Sequence, residues 1–296
     1  MLGHDLHTPT HPLFSGLKVG SYKIACIAWP RTRPFDTMLA RRAAAAWPRA
    51  AICVAPVRRL SISMPIAPSV PHVQLNIMGK PTPVTVRNIY CIGRNYVEHA
   101  RELGNAVPKE EPVVFMKSSA SLRGLTDESP TAFPGETFHH EVEMVLLIGS
   151  DVELNGLAPG NEEACVNAVG LGLDLTRRGV QSELKTAGLP WTTAKSFAGS
   201  AIVGPMTQLD GSFSMGDVSF ELKVNDKLRQ SGHVKQMIFD VASQLRFINS
   251  LVPLLRGDLL FTGTPAGVSN LNKGDSFAMR FTSGPAMKRK WYKGEL

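Results

Sequence analysis

The run Phe138-His139-His140-Glu141-Val142-Glu143-Met144-Val145-Leu146-Leu147-Ile148-Gly149 constrains this 296-residue chain more than any other. Its apolar part has the length and β-branched content of a buried strand, yet its head carries two carboxylates and two histidines. Side chains alternate faces along a strand, so His139, Glu141 and Glu143 share one face while His140, Val142 and Met144 share the other. Neighbouring carboxylates repel, and burying them uncompensated is costly. Either the polar end emerges into solvent, which is the commoner fate of an E-x-E pair, or a cation sits between the two acids. Spacing alone leaves both readings open.

Composition bounds the rest. With 43% hydrophobic and 19% charged residues, the chain suits a globular protein of one large or two small domains. No apolar run approaches the ~20 residues of a membrane-spanning helix, so no membrane partner is expected. The formal charge of +7 is local. Residues 1–63 hold nine Lys or Arg against Asp5 and Asp36, and the remainder carries 23 residues of each sign. A nucleic-acid partner is therefore not expected for the body of the chain. Residues 1–73, rich in Ala, Arg and Pro, read as an unstructured extension without catalytic residues, either a leader or an over-called start, and 74–296 as the folded domain. Met38 to Ser63 is similar to an acid-poor transit peptide. A cytoplasmic location is expected, with the mitochondrial matrix as the alternative should that segment act as one. Cys26, Cys53, Cys91 and Cys165 form no zinc-type spacing, and Cys91 and Cys165 read as small buried hydrophobes.

Along the ordered part, Asn88 to Gly93 predicts a strand leading into a helix that ends at Gly104, with Asn95 and Glu98 as a capping box. That places His99 and Glu102 at i, i+3 on one side; an acid beside a histidine makes a usable base, while an exposed surface pair is the commoner outcome. Pro112 to Lys117 reads as a strand, Asn161 to Ala168 as a helix, and Val169 to Thr176 as a second buried strand with Asp174 at its end. Gly170-Leu171-Gly172 lacks the third glycine of a dinucleotide fingerprint. A helix over Arg177 to Ala187 puts Arg178 and Gln181 on one side. Lys195 lies among small and aromatic residues, and most such lysines are solvated. Phe220 to Val224 with Asn225-Asp226 predicts a hairpin. Ile238 to Val252 is an amphipathic helix. Asp258 to Thr262 is a strand opening into Gly263-Thr264-Pro265-Ala266-Gly267, where glycines would let Thr264 approach a ligand.

Taken together, Gly93-Arg94-Asn95-Tyr96-Val97-Glu98-His99, His139-His140-Glu141-Val142-Glu143, Leu173-Asp174-Leu175-Thr176-Arg177-Arg178-Gly179-Val180-Gln181, Gly188-Leu189-Pro190-Trp191, Ala194-Lys195-Ser196-Phe197 and Thr262-Gly263-Thr264-Pro265-Ala266-Gly267-Val268 resemble the fumarylacetoacetate hydrolase family. The likeness is to its short, single-domain members acting on acylpyruvates and oxaloacetate. It implies a mixed α/β, β-rich fold, a sandwich roll with short flanking helices. It also implies a homodimer, a Mg2+ or Mn2+ ion, and a small 2-oxo acid substrate. By motif position the metal ligands would be Glu141, Glu143 and Asp174. His99 and Glu102 would form a catalytic lid dyad with Lys195 as the third catalytic residue. Arg178, Gln181 and Thr264 would bind substrate. His139 has no ligand counterpart in the family pattern, and we expect it to support the carboxylates from behind. The implied reaction is hydrolytic carbon–carbon cleavage of a 3-acylpyruvate to pyruvate and a carboxylic acid. Oxaloacetate tautomerisation or decarboxylation at the same site is the alternative. An inactive metal-binding scaffold is the reading of a different class, and no motif residue it would have lost is missing.

Overall fold

The computed structural model describes residues 74–296 apart from 79, 81, 126–132, 134–135, 210–214 and 285–289. The expected extension over 1–73, with Cys26 and Cys53, lies outside the described residues, as do most of the turn from Asp127 to Gly135 and the start of the last expected strand. The spine is a mixed sheet in which Met206–Gln208, Val166–Asp174, Val142–Ile148, Leu259–Phe261, Ile89–Gly93 and Val113–Lys117 lie in that spatial order. Within this run only Leu259–Phe261 against Ile89–Gly93 is parallel. A second, antiparallel sheet orders Lys227–His233, Ser219–Val224, Ser276–Ser283 and Tyr292–Glu295. The fold is therefore mixed and strand-rich, as expected, with few and short helices.

Packing explains the unbroken apolar run at 142–148. Val142, Met144, Leu146 and Ile148 enter the core shared with Phe220, Leu222, Met279 and Phe281 of the second sheet. Val145 and Leu147 face the opposite way, into a cluster with Ile89, Cys91, Leu259 and Phe261. A strand buried on both faces needs no polar alternation. Glu143 lies on the Val145–Leu147 face and pairs across the sheet with Gly172. A Cβ at Gly172 would stand 2.7 Å from the Ile202 carbonyl and 2.8 Å from a Val145 methyl. Close backbone approach, not nucleotide binding, is why a glycine stands there.

Three expectations are corrected. The strand through Phe138 to Ile148 is not continuous: Phe138–His140 leaves the main sheet to pair with Ser269–Leu271, and the break falls at Glu141. His139 there exchanges backbone hydrogen bonds with Thr176, and the Asp174 N–H donates to the Glu141 carbonyl, so the break is locked by the neighbouring chain. The helix over Asn161 to Ala168 shrinks to a 3-10 turn at Glu162–Cys165. Val166 already pairs with Ile148, and burial of Val166, Ala168 and Val169 overrides local helical preference. The capping box is absent, because helix Val97–Glu102 starts after Tyr96 without a side-chain cap. Asn95 instead donates to the Thr262 carbonyl at 2.8 Å and the Phe239 carbonyl at 3.0 Å, and accepts from the Phe239 N–H at 2.9 Å. The other helices appear as Arg178–Thr186 and Val241–Leu251, the latter capped by Asp240. The hairpin turns at Asn225 and Asp226, both in the left-handed region (φ 49° and 59°), as a two-residue hairpin requires. No helix among the described residues is long and apolar enough to cross a membrane.

Candidate active site

Antiparallel pairing brings the acids together. Val142 lies opposite Leu173, so Glu143 and the break at Glu141 fall beside the end of Val166–Asp174. Each of Glu141, Glu143 and Asp174 offers an oxygen within 4.8 Å of the others, and all three are buried. Glu143 is the least compensated. One oxygen accepts the Gly263 N–H at 2.7 Å, and among the described residues no cationic side chain pairs with it. Burial, then the charges of Asp174 and Glu141, push its carboxyl well above the usual range. Three buried hard oxygen donors, one of them short of positive charge, fit a divalent cation of the Mg2+ or Mn2+ class.

The other two acids are already engaged. The Lys195 ammonium, on the short helix Thr192–Lys195, donates to Glu141 at 2.7 Å, Asp174 at 2.6 Å and the Thr176 hydroxyl at 2.6 Å. Burial alone would lower its pKa, but Asp174 and Glu141 hold it above the ordinary lysine value. Burial alone would likewise raise Glu141, but Lys195 and Arg178 hold that carboxyl well below its ordinary value. Arg178 donates to Glu141, to the Gln181 side-chain oxygen at 2.6 Å and to His139 Nδ1 at 3.2 Å. Gln181 thus keeps its amide donors for a ligand. His139 touches the carboxylates only through Arg178, and burial and that guanidinium lower its pKa. It stays a neutral acceptor. Lys117, at the end of strand Val113–Lys117, was not legible as a site residue. Its ammonium lies fully buried 2.8 Å from Asp174 and donates to the carbonyls of Lys195 and Leu175.

His99 is buried on the helix beside the cleft, but the expected dyad is not closed. His99 Nδ1 lies 3.6 Å from Glu102 and has no hydrogen-bond acceptor. Glu102 instead accepts the Gly267 N–H on both oxygens at 3.1 Å, tying the helix to the glycine loop. Burial lowers the His99 pKa, and Arg178 and Lys195 act in the same direction against Glu141, so the imidazole is neutral and able to accept a proton.

Thr264 lines the cleft, yet its hydroxyl is spent on the scaffold. It donates to the Val142 carbonyl at 2.8 Å and accepts from the Gln230 amide at 2.8 Å. That amide also donates to the Pro265 carbonyl, which can only accept, so the orientation of Gln230 is fixed. Its oxygen then accepts from the Val142 N–H and from His140 Nδ1, and His140 Nε2 accepts from Ser269. His140 is a neutral structural pin.

One cleft gathers His99, Glu141, Glu143, Arg178, Gln181, Lys195 and Thr264. Asp174, fully buried, and Glu102, exposed, do not line it. Arg94, Asn105, Phe115, Lys185 and Trp191 also line it. The sequence reading gave these residues no role, although Arg94 and Trp191 stand inside quoted motifs.

Comparison with known proteins gives a consistent picture. Residues 88–289 match the model of the fumarylacetoacetate (FAA) hydrolase C-terminal family. The mitochondrial oxaloacetate tautomerase FAHD2 of Oryza sativa subsp. japonica is 37% identical over 199 residues, covering 66% of this chain and 86% of that protein. The oxaloacetate tautomerase YcgM of Escherichia coli (strain K12) is 36% identical over 204 residues, covering 66% and 89%. Among solved structures, fumarylpyruvate hydrolase from Pseudomonas aeruginosa in complex with Mn2+ and pyruvate aligns with a TM-score of 0.66 at 32% identity, covering 73% of this chain and 93% of that one. The matched span runs from the strand beneath Arg94 past the glycine loop at Thr264 and so holds every residue of the cleft; the chain belongs to the fumarylacetoacetate hydrolase family.

Proposed function

We propose that this chain is a metal-dependent oxaloacetate tautomerase, interconverting the enol and keto forms of the acid. The observation that carries the reading is the neutral, desolvated His99 in one cleft with Glu141 and Glu143, its Nδ1 not engaged by Glu102. A water-activating dyad needs the carboxylate to orient the imidazole; tautomerisation needs only a base that takes a proton and gives it back. The sequence reading ranked hydrolysis first, and the named activities of the rice and bacterial relatives favour the alternative.

A divalent cation held by Glu141, Glu143 and Asp174 would supply polarisation of the 2-oxo group and charge stabilisation. The remaining work falls to the chain's own side chains. His99 takes the proton from the 2-hydroxyl of the enol. The double bond moves from C2–C3 to C2–O, and a proton is delivered to C3, so nothing is gained or lost overall. The Gln181 amide presents fixed donors to the negative oxygens, which cost no reorganisation during reaction, and the Lys195 ammonium, its three donors held by Glu141, Asp174 and Thr176, contributes a fixed positive charge. Arg178 holds Glu141 and Gln181 in register.

The test is the decay of the ultraviolet absorbance of enol-oxaloacetate with Mg2+ or Mn2+ present, beside acetylpyruvate and fumarylpyruvate followed for cleavage. The expected outcome is enol decay well above the buffer rate, with His99→Ala slower by ~10²–10⁴-fold, the usual worth of a general base. A wild-type protein that leaves enol decay at the buffer rate while cleaving an acylpyruvate would reverse the order in favour of hydrolysis. That second reading is favoured by the likeness to the fumarylpyruvate hydrolase. A homodimer belongs to the same proposal, and light scattering in solution checks it.

A further inference from the structure

Two cations at the mouth of the cleft take no part in holding the carboxylate triad. Arg94 follows strand Ile89–Gly93 in a left-handed backbone conformation, φ 57°, which is uncommon for a non-glycine residue and persists where surrounding structure enforces it. Its Nε is buried without a hydrogen-bond partner. Its guanidinium lies 5.6 Å from the centre of the Trp191 ring, and the Lys185 ammonium of helix Arg178–Thr186 lies 5.9 Å from the same ring. Lys185 donates to the Asn105 side-chain oxygen at 2.8 Å. Among the described residues neither cation pairs with a carboxylate. Burial lowers the Lys185 pKa, and the charges of Arg94 and Arg178 press it further in the same direction. Two cations converging on one aromatic wall without an anion are incomplete.

We propose that Arg94 and Lys185, braced by Trp191 and Asn105, form a subsite for the second carboxylate of a dicarboxylate substrate, at the opposite end from the metal-chelating 2-oxo acid group. The fork of Arg94 suits a planar carboxylate, and Lys185 adds a point charge beside it. This deepens the tautomerase reading by naming the residues that would separate a C4 dicarboxylate from a monocarboxylate of the same length.

The test pairs malate with lactate, 2-hydroxy acids that differ by the second carboxylate, in calorimetric titrations of the Mn2+-loaded full chain. Oxaloacetate turnover is measured alongside. Wild type should bind malate more tightly than lactate. Arg94→Gln and Lys185→Gln should each weaken malate by about 10- to 100-fold, the worth of a charge-assisted hydrogen bond, and leave lactate unchanged. KM for oxaloacetate should rise by a similar factor, and Lys185→Arg should recover part of the loss. Lys185→Gln keeps the test open should Arg94→Gln not fold. A malate preference abolished by these changes supports the subsite even if oxaloacetate is not turned over, in which case only the tautomerase reading falls. Equal binding of malate and lactate by wild type, or a preference untouched in Lys185→Gln, overturns the subsite whatever the turnover.

Discussion

Glu143 carries the sharpest consequence of the site's electrostatics. Its carboxyl sits above the ordinary glutamate value of 4.5, from burial first and then the charges of Asp174 and Glu141. A folded-state pKa above the unfolded one means that the group's stabilising contribution is fully present below the unfolded value. The contribution is lost as pH rises through the folded value. The metal-free protein should therefore lose melting temperature over that window, while Mn2+, which binds the ionised form, should raise it more at each step upward in pH. Glu143→Gln should flatten both responses in thermal melts and cut turnover by more than ~100-fold, beyond the usual cost of losing an outer-shell partner. A Gln variant that kept its Mn2+ response would remove Glu143 from the ligand set. Gly172 makes a second prediction at this scale. Alanine there drives a methyl against the Ile202 carbonyl, with an expected loss of about 1–3 kcal/mol in denaturant unfolding. The carboxylates stood out in the sequence because each stands at the end of an apolar run, but spacing left their role open, and only the family resemblance implied that they share a metal. Lys117 did not stand out: a lysine closing a five-residue strand reads as its solvated end, and only the distant Asp174 shows that it is buried.

Among the elements, helix Val97–Glu102 and the loop Gly263–Gly267 act together. Glu102 ties the helix to the Gly267 N–H, and Asn95 ties its approach to the Thr262 and Phe239 carbonyls. Asn95 is wholly buried, so Asn95→Ala takes the side-chain partner from the Thr262 carbonyl and the Phe239 N–H, while the Phe239 carbonyl keeps the Gln244 amide. Each such loss costs about 1–3 kcal/mol, and a markedly lower melting temperature is expected with the metal response retained. A melting temperature at the wild-type value would show that water replaces the side chain. Sequence reading found both segments yet misassigned Asn95, since a capping pattern is local and the true partners lie far along the chain. The same limit produced the overlong helix at Asn161 and the unbroken strand at Glu141. In both, pairing with a remote strand decided the outcome. Where the pattern was self-contained, as at the Asn225-Asp226 turn or the stop at Gly188, it held.

For the whole molecule, every residue lining the cleft lies between Ile92 and Thr264, within the unit Met64–Leu296. A chain trimmed to that unit should keep its turnover and its Mn2+ response. A loss of either would place part of the function in residues 1–63. The break at Glu141 and the sheet around it also set an order of assembly in time. Glu141, Glu143 and Asp174 come from one antiparallel pair whose connection, residues 149–165, is far shorter than the chain that separates Asn88 from Asp258, and closure entropy grows with loop length. His99 and the glycine loop are brought in only when Leu259–Phe261 docks beside Ile89–Gly93, a junction at which Asn88 meets Asp258 across 170 residues of chain. Long-range pairing of this kind is slow. In pulse-labelled hydrogen exchange, amides of Val142–Ile148 and Val166–Asp174 should become protected before those of Leu259–Phe261. The nascent protein would then possess its acid cluster before it possesses a base.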